Sequence, residues 1–349
     1  MYNPELYLHI LFGTIMTIVA FAVTWSMRRF VQIMDEPNHR SSHTKAIPRA
    51  GGVSIVITFF IGLAATGLMG ELDSIERPVL YGFIFSALLI SIISLVDDIS
   101  EQTAIFKAFT HMIAVVVVLY FGIVLDELSS PFGDIPLGWV GYVISFLWII
   151  GLTNAYNFMD GLDGLAGGVA VITSLFFMII TFHEGSTFVY IISYSLLAGA
   201  LGFMFLNYPP AKIILGDVGA AFLGFVFAVL AIIAARYDES KTSFLVMPLL
   251  MFNFIYDTSF TFIRRLLKGE KVTEAHRTHI YQLLNRSGYS HLEVVLTQYC
   301  MVFLQGLGAI WLINIPGNER ALVFVPFLIF QVTYTYSVFR RAKKASVDY

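Results

Sequence analysis

Eleven long apolar runs restrict the fold of this chain more than any other feature of its sequence. They lie at about residues 6–26, 52–69, 78–96, 105–124, 137–156, 165–182, 187–206, 214–235, 244–263, 292–313 and 321–339. A helix needs roughly 20 apolar residues to cross a bilayer, and backbone in the hydrocarbon must satisfy its own hydrogen bonds. The sequence therefore predicts an all-α polytopic integral membrane protein with about 11 transmembrane helices, and residues 1–349 are predicted to form one membrane domain.

The composition agrees with this prediction and excludes other classes of protein. Of the 349 residues, 57% are apolar and 13% are charged, and the mean hydropathy is +0.77. A soluble domain carries about 25% charged residues, so neither a soluble enzyme nor a nucleic-acid-binding protein with a basic face is expected. The first run is not expected to be a cleaved signal peptide, because residues 1–5 carry no basic side chain.

The basic residues indicate the orientation of the chain in the membrane. If the segment after the first run lies inside and the runs alternate, 17 of the 21 Lys and Arg residues fall on inside segments and 4 on outside segments. Cytoplasmic segments of membrane proteins carry an excess of Lys and Arg. The partition predicts an N-terminus outside, a cytoplasmic C-terminus and an odd number of spans.

The same inside face contains a pair of adjacent acids. Asp97 and Asp98 end the third run, and neighbouring carboxylates repel each other unless a cation or basic groups compensate them. Lys107, at the start of the fourth run, is a candidate for that compensation. Acids at a helix C-terminus oppose the helix dipole, which favours a functional role over the alternative of a solvated helix end.

A string of amides and acids follows the fifth run. Asn154, Asn157, Asp160 and Asp163 recur at every third position, and four glycines lie within 161–168. A straight helix would turn such a stripe by about 60° at each step, so the glycines predict that the helix ends or bends inside the motif. The prediction is a small polar cluster that backbone can approach closely. The alternative is a Gly-rich cap between two spans.

A third acidic position lies near the start of the eighth run. Asp217 lies between Gly216 and Gly219 on the same predicted face. An Asp at a helix start is also an ordinary N-cap, and that alternative stays open. Oxygen ligands from Asp and Asn, in a chain whose single cysteine is Cys300, favour Mg²⁺ or Mn²⁺ over Zn²⁺.

The longest inside loop and the loop before the second run carry basic and histidine side chains. His276, Arg277 and His279 are donors suited to phosphate oxygens. Lys45 and the glycines up to Gly52 precede a helix start, which is a common phosphate site. The alternative for both loops is a basic anchor that only satisfies the positive-inside rule.

Taken together, these stretches resemble the polyprenyl-phosphate N-acetylhexosamine-1-phosphate transferases, a glycosyltransferase family that carries out the first membrane step of bacterial cell-envelope glycan assembly. The resemblance extends over about residues 35–282, and the motifs come in the order of the family. They are the Pro-x-x-Gly-Gly loop at 48–52, the acid pair at 97–98, the string Asn-Ala-x-Asn-x-x-Asp-Gly-x-Asp-Gly-Leu at 154–165, the Gly-Asp-x-Gly turn at 216–219 and the His-Arg-x-His loop at 276–279.

The resemblance implies an activity and roles for these residues. The phosphate of undecaprenyl phosphate attacks the β-phosphorus of a UDP-N-acetylhexosamine at the cytoplasmic face of the bacterial inner membrane, giving undecaprenyl-diphosphate-sugar and UMP. Asp217, with Asn157 beside it, should hold Mg²⁺ or its substitute Mn²⁺, and Asp97 or Asp98 should deprotonate or position the lipid phosphate. The positions expected to bind the substrates are Lys45, Lys107, Asn154, Asp160, Asp163, His276, Arg277 and His279. A homodimer is compatible with the resemblance.

The last loop distinguishes two branches of this family. Arg277 and Thr278 separate the histidines, whereas phospho-MurNAc-pentapeptide translocases carry a run of three. The chain therefore looks closer to the branch that uses simple N-acetylated sugars. Residues 216–222 are similar to O-antigen-initiating enzymes of lipopolysaccharide synthesis, with Ala220 where those have Ser. GlcNAc, GalNAc, FucNAc and QuiNAc are open alternatives, as are direct attack and an aspartyl-phosphate intermediate.

Two other functions fit part of the pattern. The residues that start at Asp160 match the first part of a CDP-alcohol phosphotransferase motif, but Gly167 and Gly168 stand where that motif has Ala and Arg. A secondary transporter should place ionisable groups at mid-membrane, and Asp257 is the main acid inside a run. An assay of transport against UMP release separates these alternatives.

Overall fold

The structure, a computed structural model, describes residues 4–31, 33–36, 46–100, 103–130, 133–271 and 276–348. Its α-helices in chain order are α1 (Pro4–Phe30), α2 (Val53–Leu68), α3 (Arg77–Ser100), α4 (Ala104–Tyr120), α5 (Val140–Phe158), α6 (Leu165–His183), α7 (Phe188–Asn207), α8 (Gly216–Ile232), α9 (Val246–Leu250), α10 (Phe252–Leu267), α11 (Ile280–Arg286), α12 (His291–Ile313) and α13 (Phe324–Lys344). Short 3-10 helices lie at Glu71–Ser74 and Gly317–Val323, and a π-helical turn at Ile233–Tyr237 extends α8.

The helices confirm a polytopic membrane protein. Within the described ranges, seven helical segments are long and apolar enough to cross a membrane, and α2 and α4 are shorter apolar helices. Helix also occupies the other predicted positions, as α5 and as the pair α9 and α10. The count of eleven spans and the orientation stay predictions, because length and composition alone do not place every helix across a bilayer.

Two local features differ from the prediction of unbroken apolar helices. The ninth run is interrupted at Met251, whose φ of −103° and ψ of 12° depart from helical values. Two small antiparallel ladders also occur. Strand β1 (Met34–Asp35) pairs with β2 (Ile47–Pro48), and β3 (Glu127–Ser130) pairs with β4 (Gly133–Pro136). Both ladders lie outside the apolar runs, so they leave the helical fold class unchanged.

Helix α8 is the centre of the bundle. Its most apolar stretch is 94% buried, whereas that of α1 is 22% buried. A helix that is apolar all round belongs inside other helices, and α3 and α5 pack along it. Phe222 of α8 lies edge-on to Phe59 of α2 with ring centroids 5.2 Å apart, and Trp148 of α5 donates to Ala228 O at 2.9 Å. This packing brings the first turn of α8 among the ends of its neighbours.

Candidate active site

The start of α8 is held by an acid from a neighbouring helix. Asp98 of α3 accepts hydrogen bonds from the backbone N–H groups of Asp217 at 2.9 Å and Val218 at 3.0 Å. Gly216 has φ +76°, and a Cβ there would lie 2.7 Å from Asp98 Oδ2. Only glycine fits that turn. A carboxylate at the N-terminus of a helix satisfies free N–H groups and complements the helix dipole.

Arg49, just before α2, reaches the same carboxylates. Its Nη2 lies 3.1 Å from Asp98 Oδ1 and 3.7 Å from Asp217 Oδ2. The loop approaches closely because Gly52 donates to Leu215 O at 2.9 Å, and a Cβ on Gly52 would lie 2.2 Å from Gly219 Cα. Burial by itself lowers the pKa of Arg49, but the carboxylates of Asp98 and Asp217 outweigh it and the pKa is raised. The guanidinium is therefore a fixed positive charge.

A lysine lies between two carboxylates beside the start of α8. Lys107 Nζ of α4 donates to Asp217 Oδ2 at 2.7 Å and also forms an ion pair with Asp97. Asn157, at the end of α5, donates its amide to Asp217 Oδ1 at 2.9 Å. We call Asp97, Asp98, Lys107, Asn157 and Asp217 the helix-end cluster. The structure thus brings together five residues that the sequence nominated separately on four helices.

The three carboxylates of the cluster differ in exposure and therefore in what they can reach. The side chain of Asp98 is fully buried, that of Asp97 is 5% exposed and that of Asp217 is 17% exposed. Asp98 already has backbone and guanidinium partners. Asp217 is therefore the carboxylate best placed to meet a ligand from outside, and Asp98 is best placed to hold α8.

The donors of the cluster suit a hard cation, although no ready-made metal cluster exists. Among the residues that the structure describes, no three His, Cys, Asp or Glu side chains are grouped to hold a metal ion. Asp97 and Asp217 nonetheless face one position from two sides, and Lys107 Nζ occupies it. Their oxygens are ligands that Mg²⁺ prefers. Asn157 turns its NH₂ group to Asp217, so it would have to present its carbonyl to ligate an ion.

The remaining residues of the long string lie beside the cluster. Asp160 follows the end of α5, and burial, with the charges of Asp217 and Asp98, raises its pKa to about 8. Asp163 accepts from Ala211 N at 3.0 Å and lies 3.5 Å from the ring of His291. It therefore ties the loop after α5 to the segment after α7.

Asn154, a turn before Asn157 in α5, points along its own helix and towards α4. Its amide donates to Ile150 O at 2.7 Å, and its side chain lies next to His111. Asn154 therefore supports the cluster from the membrane side.

A buried acid in α10 anchors the loop that carries the predicted histidines. Asp257 is 4% exposed, and its carboxylate contacts His279 Nδ1 at 3.0 Å, Ile280 N at 3.0 Å and Tyr281 N at 3.1 Å. The hydroxyl of Tyr281 donates to Phe158 O at 3.0 Å. We call residues 276–281 the histidine loop. Because Phe158 follows Asn157 in the sequence, this bond of Tyr281 places the histidine loop next to the helix-end cluster.

The other histidine-loop residues have distinct environments. The rings of His276 and His279 lie 4.9 Å apart. Burial, followed by neighbouring positive charges, lowers the pKa of His276 to about 4. The carbonyl of Arg277 accepts from Arg286 at 3.0 Å, which fixes its backbone. Lys45, the remaining predicted substrate-binding residue, lies outside the described residues.

Three residues of the site were missed or undervalued by the sequence predictions. Arg49 lies in the Pro-x-x-Gly-Gly loop, so the motif itself was a signal. Asp257 stood out as an acid inside an apolar run, which marks a functional position in membrane proteins. His111 lines the cavity beside Lys107; its signal was a histidine one turn from a predicted site lysine on the same helix face.

The fold and site together define a class: a helical membrane protein with a cluster of carboxylates and basic side chains at one end of its helices, of a kind suited to phosphate groups and a cation. The chain belongs to glycosyl transferase family 4, whose match covers residues 80–235. This membership confirms the resemblance found in the sequence and supports it over the transporter and CDP-alcohol alternatives.

Curated relatives align along most of the chain. A Bacillus subtilis (strain 168) protein named "Probable undecaprenyl-phosphate N-acetylglucosaminyl 1-phosphate transferase" is 32% identical over 79% of this chain and 76% of its own. A Mycobacterium leprae (strain TN) decaprenyl-phosphate N-acetylglucosaminephosphotransferase is 29% identical over 97% and 91%. A Thermotoga maritima undecaprenyl-phosphate alpha-N-acetylglucosaminyl 1-phosphate transferase is 27% identical over 93% and 96%.

Proposed function

We propose that this protein transfers N-acetylhexosamine 1-phosphate from a UDP-sugar to undecaprenyl phosphate, releasing UMP and forming a lipid-linked diphosphate sugar. The names of its relatives favour GlcNAc as the sugar. In a bacterial cell this reaction would begin a cell-envelope glycan, such as O-antigen. Membership of the family supports the reaction class, and the helix-end cluster supports the place where it occurs.

The charge balance of the cluster is the observation that carries the proposal. Three carboxylates, Asp97, Asp98 and Asp217, face two fixed cations, Lys107 and Arg49. Arg49 also lies 4.0 Å from Asp35, so the carboxylates around these two cations leave an excess of negative charge in a largely buried site. Buried charge is costly unless it is compensated. A divalent cation bound together with phosphate groups supplies that compensation.

Different residues of the chain have different roles in the transfer. Asp97 receives the proton of a singly ionised lipid phosphate or orients the phosphate when it is already fully ionised. An oxygen of that phosphate attacks the β-phosphorus, and the bond from the β-phosphorus to the bridging oxygen breaks as UMP leaves with the electron pair. Lys107 and the histidine loop face the negative charge that moves to the leaving group. Positioning and charge neutralisation supply most of the rate in such reactions.

We propose Mg²⁺, with Mn²⁺ as a substitute, as the cofactor. Asp217 would hold the ion through its carboxylate oxygens and Asn157 through its side-chain carbonyl, with Lys107 moving towards the phosphates. The bound ion would neutralise phosphate oxygens and so lower the barrier to attack. The donors present are all oxygens, which fits this choice.

The proposed location is the bacterial inner membrane with the site facing the cytoplasm. Residue 268 then lies inside and residue 127 outside. A thiol reagent that does not cross membranes should label Glu127→Cys in intact cells and Lys268→Cys only after the membrane is opened, both in a Cys300→Ala background. Labelling of Lys268→Cys from outside contradicts this orientation.

The reaction itself is tested by UMP release from purified protein with undecaprenyl phosphate, Mg²⁺ and a panel of UDP-GlcNAc, UDP-GalNAc, UDP-FucNAc and UDP-QuiNAc. We expect UMP and lipid-linked product in equal amounts with at least one sugar, most with UDP-GlcNAc. A matched reaction without lipid phosphate should release none. Absence of UMP with every N-acetylated sugar contradicts the proposal.

A further inference from the structure

A narrow cavity of about 10 Å³ lies next to the helix-end cluster, and Asp97, Lys107, Asn157 and Asp217 line part of it. Ser94 and His111 also line it. Ser94 precedes Asp97 by one turn of α3, and His111 follows Lys107 by one turn of α4. Ser94 therefore lies one turn further from the end of α3 than Asp97, and His111 lies one turn further from the start of α4 than Lys107.

Ser94 behaves differently from the other serines of its helix. A buried serine in a membrane helix ordinarily donates to a carbonyl in the preceding turn. Three of the four α3 serines do so, to Gly82 O, Leu88 O and Val96 O: Ser86, Ser91 and Ser100. Ser94 is 2% exposed, and within the described part of the chain its Oγ has no protein partner. Its hydroxyl is therefore available to the cavity.

His111 shows the same pattern from the facing helix. It is 6% exposed, and its Nδ1 has no hydrogen-bond partner among the residues that the structure describes. Buried polar atoms in native proteins are nearly always hydrogen-bonded to protein or to ordered water. Two such atoms belong to residues of different helices that line one small cavity, which indicates a shared ligand.

The size of the cavity limits what that ligand is. A water molecule needs roughly 10–15 Å³ of this kind of volume and two to four polar partners. The cavity has that volume, and Ser94 Oγ, His111 Nδ1 and the charged groups of Asp97 and Lys107 supply the partners. We propose that Ser94 and His111 bind a single structural water beneath the helix-end cluster, and that this water holds Asp97 and Lys107 in place.

This inference rests on the proposed function only where it concerns turnover. Ser94 and His111 are then positioning residues, because they act on the substrates through the water and the cluster rather than by contact. Bridging waters serve almost as well as direct hydrogen bonds, and losing a residue that orients a site typically costs 10–100-fold. We expect about a tenfold loss of kcat with little change in KM when the water is lost.

The water site is tested without any assay of turnover. A crystal or cryo-electron microscopy map of the full chain, at a resolution where other buried waters appear, should show one density peak within hydrogen-bond distance of Ser94 Oγ and His111 Nδ1. The peak should disappear in Ser94→Ala. A map in which Ser94 bonds its own helix, or in which the cavity holds no peak, overturns the proposal. An inactive wild-type protein with the peak present would contradict the proposed function alone.

Matched substitutions at His111 test its positioning role. An Asn side chain can place a polar atom where Nδ1 lies, whereas Gln extends its amide towards the position of Nε2. We expect His111→Asn to keep at least half of kcat, and His111→Gln and Ser94→Ala to lose about tenfold. Ser86→Ala, which removes a hydroxyl bonded to its own helix, is the control and should retain full activity. Equal losses in the Asn and Gln variants, with unchanged thermal stability, contradict the role.

Discussion

The helix-end cluster and the histidine loop bring charged groups to one region of the protein by different means. In the cluster each group sits at the end of its own membrane helix, and the packing of α3, α4, α5 and α8 sets its position. The histidine loop instead depends on one carboxylate, Asp257, which holds three groups of the loop. We infer that the loss of one side chain in the cluster leaves its helices in place, whereas the loss of Asp257 releases the loop from its anchor.

Within the cluster, Asp97 and Asp98 should show how adjacent carboxylates divide their roles. Asp97→Asn should lower the rate by about 10² to 10⁴, and about a twofold part of that loss should be recovered as the pH rises from about 6 to 9. The reason is that a phosphate monoester has a second pKa near 6 and ionises without a base at higher pH. Rates measured over this range test the base role.

Asp98→Asn provides the contrasting case. The buried carboxylate holds two N–H groups of α8 and Arg49, so its loss should lower the free energy of unfolding by about 1–3 kcal/mol and reduce activity at every pH. Recovery of Asp98→Asn at high pH contradicts its anchoring role. If neither variant recovers, both acids belong to the scaffold for phosphate and metal.

A single change at Asp257 should disturb more residues of the histidine loop than a single change disturbs in the cluster. The expected loss of rate is smaller than that of Asp97→Asn. Asp257→Asn removes the charged anchor of His279 and of two backbone N–H groups, so we expect kcat/KM to fall by about 10–100-fold. Hydrogen exchange of residues 279–286 should become faster, while that of the first turn of α8 stays slow. Thr258→Val, on the same helix, removes a hydroxyl bonded to Phe254 O and is the control. Unchanged exchange in Asp257→Asn contradicts the anchor.

The smallest expected effect concerns the protonation of His276. Its pKa is lowered to about 4 in the folded protein, from an ordinary value near 6.5. Below about pH 6.5 the unfolded chain binds more protons at this residue, so the free energy of unfolding falls as the pH drops towards about 4. The melting temperature at pH 5, relative to pH 7, should therefore fall less in His276→Gln than in the wild type. A His183→Gln control should behave as the wild type, and an equal fall in all three proteins contradicts the prediction.

Much of the fold was predictable because a membrane span is a local property. Twenty apolar residues indicate a helix whatever surrounds them, and the ends of α3, α5 and α8 appeared where their polar motifs begin. The break at Met251 and the two small ladders were not predicted, since they depend on the backbone angles of one residue and on pairing between segments.

The site was predictable by residue type and not by contact. Asp217, Asn157 and Lys107 were found because acids, amides and basic residues gather at the predicted inside ends of the apolar runs. The sequence could not show that Asp98 faces the backbone of α8 while Asp97 faces Lys107, because adjacent residues on a helix point about 100° apart and either one fits each role. The link from Asp257 to His279 crosses two elements and leaves no periodic pattern.

The central claim is that the helix-end cluster is where the sugar phosphate is transferred, and Asp217 tests it most directly. Purified wild type, Asp217→Asn and the control Asp126→Asn, which alters an exposed ion pair with Arg236 elsewhere in the chain, are compared by initial rates of UMP release with undecaprenyl phosphate, UDP-GlcNAc and Mg²⁺. We predict a loss on the order of 10³ for Asp217→Asn with an unchanged melting temperature, and a normal rate for Asp126→Asn. A near-normal rate in folded Asp217→Asn would contradict the account.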